Sequence, residues 1–130
     1  MNNLEKDYTD YNIYFCGITK NCIKTIETNL NFLIKFIKNS DLNCQLIMVD
    51  SNSKDGTKSI LKKYSKLNQF FHYKDLDFEK DNTSNRIQRI SESRNECLKI
   101  ISGTENNKKV IYIPADFDLD LFKFVSEEML

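Results

Sequence analysis

Asp116, Asp118 and Asp120 recur at every second position in the segment Pro114-Ala115-Asp116-Phe117-Asp118-Leu119-Asp120-Leu121. In an extended chain, that period gathers the three carboxylates on one side and puts Phe117, Leu119 and Leu121 on the other. Carboxylates held so closely repel one another unless a cation compensates. Hard oxygen ligands suit Mg²⁺ or Mn²⁺, which take one or two carboxylates and complete their shell with water and substrate phosphates. The pattern is therefore a candidate for holding a metal-bridged diphosphate. The ordinary alternative is a solvated acidic turn.

Arg94 is the second candidate. It lies four residues after Ile90 and three before Cys97, inside an apolar helical stripe, so its cation is expected to point at the protein. A buried guanidinium needs an anion, which either an internal carboxylate or a ligand phosphate supplies. Arg86 and Arg89 precede it on the same helix and are candidates for the same opening. Asp50, at the end of an apolar run and followed by Ser51, is suited to accept hydrogen bonds from a base or ribose; a turn and helix cap is the alternative. Gly17-Ile18-Thr19-Lys20-Asn21 follows another such run, but neither a G-x-G-x-x-G nor a P-loop pattern is present. His72 and the cysteines read as structural.

The elements that must position these residues alternate in type. Ile13 to Ile18 suits a buried strand, and the apolar series Ile23, Ile26, Leu30, Leu33, Ile34 and Ile37 traces one helix face, broken at Asn39-Ser40-Asp41. Leu46 to Val49 is a second strand. After the polar turn from Asp50 to Thr57 comes a helix with the stripe Ile60, Leu61, Tyr64 and Leu67, which Asp55 or Thr57 is placed to cap. Phe70 to Tyr73 reads as a third strand and Leu76 to Asn85 as an exposed loop. A third helix carries Ile87, Ile90, Cys97, Leu98 and Ile101 and ends by Gly103 and Asn106-Asn107, before a fourth strand, Val110 to Ile113. Strands alternating with helices specify an α/β fold: a Rossmann-like, mainly parallel sheet with helices on both faces. Ligands of such sheets bind beyond the carboxyl ends of the strands.

The 130 residues suffice for one domain, residues 1–130, of which about the first ten are polar and expected to be flexible. Nineteen basic residues balance nineteen acidic ones, which argues against binding nucleic acid by bulk charge. No apolar run approaches the roughly 20 residues of a membrane span, and the amino terminus lacks the features of a secretory signal. Four cysteines without a C-x-x-C pair, and a single histidine, disfavour zinc and fit free thiols in a cytoplasmic protein.

Three segments occur in an order that resembles glycosyltransferase family 2, whose members have the GT-A fold. Val49-Asp50-Ser51-Asn52-Ser53-Lys54-Asp55-Gly56-Thr57 resembles its V-D-D-G-S-x-D-G-T segment, Ser93-Arg94-Asn95 its A-R-N triplet, and Asp116-Phe117-Asp118 its D-x-D motif. Ser51 stands where the family has its second Asp, and Pro114-Ala115 before the motif is less usual. The resemblance runs from about Ile13 to Asp120. It implies a site for a UDP- or GDP-sugar, with Thr19, Asp50 and Ser51 against base and ribose, Arg94 near the diphosphate or the aspartates, and Asp116 and Asp118 on Mn²⁺ or Mg²⁺. It also implies hexosyl transfer to a glycan, lipid or protein acceptor. Family members continue well beyond the D-x-D strand with an acceptor site and, in inverting enzymes, a catalytic carboxylate, whereas this sequence ends ten residues after Asp120. Leu121 to Leu130 reads as the opening of a helix, on which Glu127 and Glu128 are better explained by solvation than by catalysis. The expectation is therefore a truncated donor-binding half that needs a partner chain or a missing C-terminal half, with no catalytic residue assigned. A non-catalytic α/β interaction module is the alternative.

Overall fold

A computed structural model describes residues 10–76, 86–104 and 109–116; the side chains of residues 86–89, 104 and 116 lie outside that description. The β-branched and aromatic run at the start forms β1, Tyr11–Thr19. α1, Ile23–Asn39, buries Ile26, Leu30, Leu33, Ile34 and Ile37, the series that its apolar spacing predicts. β2, Asn43–Ser51, leads through a turn to α2, Thr57–Leu67, and then β3, Phe71–Leu76. α3, Arg86–Thr104, and β4, Lys109–Asp116, complete the order.

All strand pairs are parallel and the sheet order is β3-β2-β1-β4. The α/β reading therefore holds. The chain steps outward from β1 to β3 and then returns across β1 to β4, so the direction of winding reverses between β1 and β4. Side chains alternate across the sheet. Ile13, Leu46, Met48 and Phe71 pack with α1 and Leu61 of α2 on one face. Tyr14, Cys16, Ile47 and Val49 pack with Cys97 and Ile101 of α3 on the other. Helices thus cover both faces.

All four strands run past the apolar segments read from the sequence, because pairing outlasts the apolar pattern. β3 begins at Phe71 and continues through the polar Lys74 and Asp75, since its ladder with β2 runs from Leu46–Phe71 to Ser51–Leu76. Leu76 is a strand residue packed beneath α3 and does not open a loop. β4 extends past Ile113 to Asp116 and includes Pro114, opposite Cys16. Proline, which has no N–H, is tolerated there because β4 is an edge strand among the described residues, with one side unpaired in that sheet. The expected loop at 77–85, the helix opening at 121–130, and Asp118 and Asp120 lie outside the described residues.

Candidate functional site

The carboxyl ends of β1 and β2 meet in register, Thr19 opposite Asp50. Both are fully buried, and Ser51 is 4% exposed. Asp50 accepts three hydrogen bonds: from the Thr19 hydroxyl to Oδ1 at 2.7 Å, from the Ser53 hydroxyl to Oδ1 at 2.5 Å, and from the Ser53 amide to Oδ2 at 3.0 Å. A buried carboxylate is costly without such donors, and here the strand end and the following turn supply them. On the next strand, Tyr73 carries a buried hydroxyl that bonds to no group among the described residues. Burial raises its pKa, and the nearby charges of Asp75 and Asp50 raise it further. Asp75 lies opposite Asp50 in the ladder and pairs with Lys58 of α2 at 3.0 Å.

The turn after β2 is bound to the loop after β1. Three successive amides entering α1 donate to it: Asn21 to Ser53 Oγ at 2.8 Å, Cys22 to Thr57 Oγ1 at 3.1 Å and Ile23 to Asp55 Oδ2 at 3.0 Å. In return, the Lys54 amide donates to Asn21 Oδ1 at 2.7 Å. Asn21 and Asn52 adopt left-handed backbone angles, φ 50° and 57°, which Asn tolerates better than other side chains. Asp55 also accepts the Thr57 amide at 3.2 Å and its hydroxyl at 2.6 Å. Of the two expected capping residues, Asp55 accepts the first amide of α2 from the position before its N-cap, Gly56, and accepts the first amide of α1 as well. In dinucleotide-binding folds, the amides after the first strand face phosphate. Here side chains of the neighbouring turn occupy them.

Arg94 departs from expectation. It is exposed, whereas Ser93 and Cys97 are fully buried and Ile101 nearly so. At 3.6 residues per turn, Arg94 lies about 60° round the helix from Cys97, and the packed face runs through Ser93, Cys97 and Ile101. Leu98, expected on that face, is 50% exposed. The guanidinium is close enough to act on Tyr112 of β4: burial raises that phenol, Cys16 and Cys97 add to the rise, and Arg94 partly offsets it. Arg94 therefore flanks the β4 side of the sheet, and no carboxylate among the described residues pairs with it. Cys16 and Cys97 are free thiols packed together beneath the helix, and their proximity, followed by burial, holds the Cys16 thiol protonated.

β4 brings Asp116 opposite Ile18, one position before Thr19, at the point where the winding reverses. Among the described residues, no three His, Cys, Asp or Glu side chains gather to hold a metal ion. The ligand set expected for one, Asp116 with Asp118 and the neighbouring Asp120, lies outside the described side chains. The sequence reading gave no site role to Asn21 or Asp75, whose partners stand 17 or more positions away, nor to Ser53, which lies only three positions from Asp50 and is shown as its partner by the folded turn. Ser51 and Ser93 present buried hydroxyl oxygens with no partner among the described residues. No helix among the described residues is long and apolar enough to cross a membrane. Comparison with protein-family models matches residues 15–103 to the model described as Glycosyl transferase family 2. No curated protein matches the chain.

Proposed function

The chain belongs to glycosyl transferase family 2, and from that premise we propose that it is the donor-binding domain of a metal-dependent glycosyltransferase, which takes a sugar from a UDP- or GDP-sugar to a glycan, lipid or protein acceptor. The observation that carries this reading is the register at the reversal of winding, Thr19 opposite Asp50 and Ile18 opposite Asp116. Open α/β sheets bind ligands outside the strand ends at that point. Base and ribose lie over Thr19, Asp50 and Ser51 in this reading. The diphosphate extends toward β4 and α3, since the amides entering α1 already have acceptors. Arg94, exposed on that side, offers it a fixed positive charge.

Asp116 and Asp118 would hold Mn²⁺ or Mg²⁺, which when bound offsets the charge that grows on the nucleoside diphosphate as the glycosidic bond breaks. The acceptor site and the catalytic base belong, in this reading, outside the described residues. Titration of the full chain with UDP- and GDP-sugars, with and without Mn²⁺, tests it. One donor class is expected to bind, with Mn²⁺ strengthening the affinity and Asp116→Ala or Asp118→Ala removing the metal's effect. No binding by either class sinks the reading.

A second reading, a non-catalytic interaction module, is favoured by one observation: Thr19, Asp50 and Ser51 are buried, and Thr19 and Asp50 already satisfy each other. Its signature is a melting temperature that nucleotides leave unchanged.

A further inference from the structure

Ser53 is bonded to Asp50 through two of its own groups, the amide to Oδ2 and the hydroxyl to Oδ1. At 2.5 Å the hydroxyl contact has the length of a charge-assisted O–H···O⁻ bond. The same Ser53 oxygen accepts the Asn21 amide, so one side chain joins the carboxylate to the loop after β1. A carboxylate has about four acceptor positions. Thr19 and Ser53 fill those of Oδ1, the Ser53 amide fills one of Oδ2, and among the described residues a single position of Oδ2 is left. Asp50 is fully buried and Ser53 is 7% exposed, so deleting the hydroxyl leaves a buried carboxylate short of a donor and held by one bond at each oxygen.

We propose that Ser53 is a positioning residue of the donor site: it locks the Asp50 carboxylate so that one acceptor position of Oδ2 faces a donor group of the nucleoside. The proposal rests on the donor-binding reading above. It is tested on the full chain by calorimetric titration with UDP plus Mn²⁺ and with GDP plus Mn²⁺, with melting temperatures recorded in parallel. Ser53→Ala is expected to weaken the affinity of whichever nucleotide binds by about tenfold. Ser53→Thr, which keeps the hydroxyl, stays within about threefold of the parent. Asp55→Ala is the control for mere damage to the turn, and it lowers the melting temperature without a comparable loss of affinity. Should Ser53→Ala not fold, Thr19→Val removes the other donor to Oδ1 and must produce the same loss. Parental affinity in Ser53→Ala or Thr19→Val overturns the proposal, and so does a loss equalled by Asp55→Ala. If the parent chain binds neither nucleotide, the donor-binding reading itself falls and takes this role with it.

Discussion

Asp55 touches the first turns of two helices at once, and its charge state is tied to folding. Burial alone would raise its pKa, but hydrogen bonds from the Thr57 hydroxyl and from the Ile23 and Thr57 amides outweigh it and hold the carboxyl below its usual range. A folded-state pKa below the unfolded one stabilises above the unfolded value, about 3.9, and that contribution is lost as the pH falls through the folded value. At His72 burial also lowers the pKa, so its contribution is present above about 6.5 and lost as the pH falls below that. Thermal melts from pH 8 to pH 3 are therefore expected to show acid destabilisation in two windows. Asp55→Asn should flatten the lower window and His72→Gln the upper one; a variant that leaves its own window unchanged refutes the assignment. Replacing Asp55 by Ala at neutral pH is expected to cost about 1–2 kcal/mol in a denaturant titration, as for loss of a helix cap. The cap on α2 was legible because Asp55 adjoins that helix. Its bond to Ile23, 32 positions away, was not, because only folding brings the two loops together.

Legibility at the level of elements depended on how apolar each buried face is. α1 buries large aliphatic residues at helical spacing, so its face could be read directly; Ile26→Ala or Leu30→Ala, both fully buried, should cost about 2–5 kcal/mol. α3 buries Ser93, Cys97 and Ile101, small or weakly apolar side chains that let it lie close over Cys16 and Val49. The large apolar Leu98 drew the expected stripe toward itself and Arg94, about a quarter-turn from the true face. In α2, likewise, Leu67 is 68% exposed while Thr57 and Leu61 are buried. Leu67→Ala and Leu98→Ala are thus expected to change stability by no more than about 0.5 kcal/mol, and Ile101→Ala by several times as much. Equal losses at Leu98 and Ile101 in denaturant titrations would contradict this placement. The site followed the same logic. Thr19, Asp50 and Asp116 were legible as ends of β-rich runs, while their adjacency required the sheet order, which local pattern does not encode.

Across the whole molecule, the two loops beyond β1 and β2 form one bonded unit that closes the phosphate position common to dinucleotide folds, while the edge between β1 and β4 carries Asp116 and is flanked by Arg94. This asymmetry separates the two functional readings by a measurement that needs no acceptor. A ligand that binds only the folded chain stabilises it by RT ln(1 + [L]/Kd), about 2.7 kcal/mol at a hundredfold excess over Kd. For a domain of this size, that is a rise of roughly 5–15 °C in melting temperature. The donor-binding reading expects such a rise with UDP- or GDP-sugar plus Mn²⁺. It also expects hydrogen-exchange protection at the carboxyl ends of β1 and β4 and the first turns of α3, but little at the start of α1, where the amides at Asn21, Cys22 and Ile23 are already bonded. Arg94→Ala should reduce the shift and Asp116→Ala should remove its dependence on Mn²⁺. Protection centred on α1 instead would put the phosphate where dinucleotide folds bind it, and no shift with any nucleotide would leave the interaction module as the surviving account.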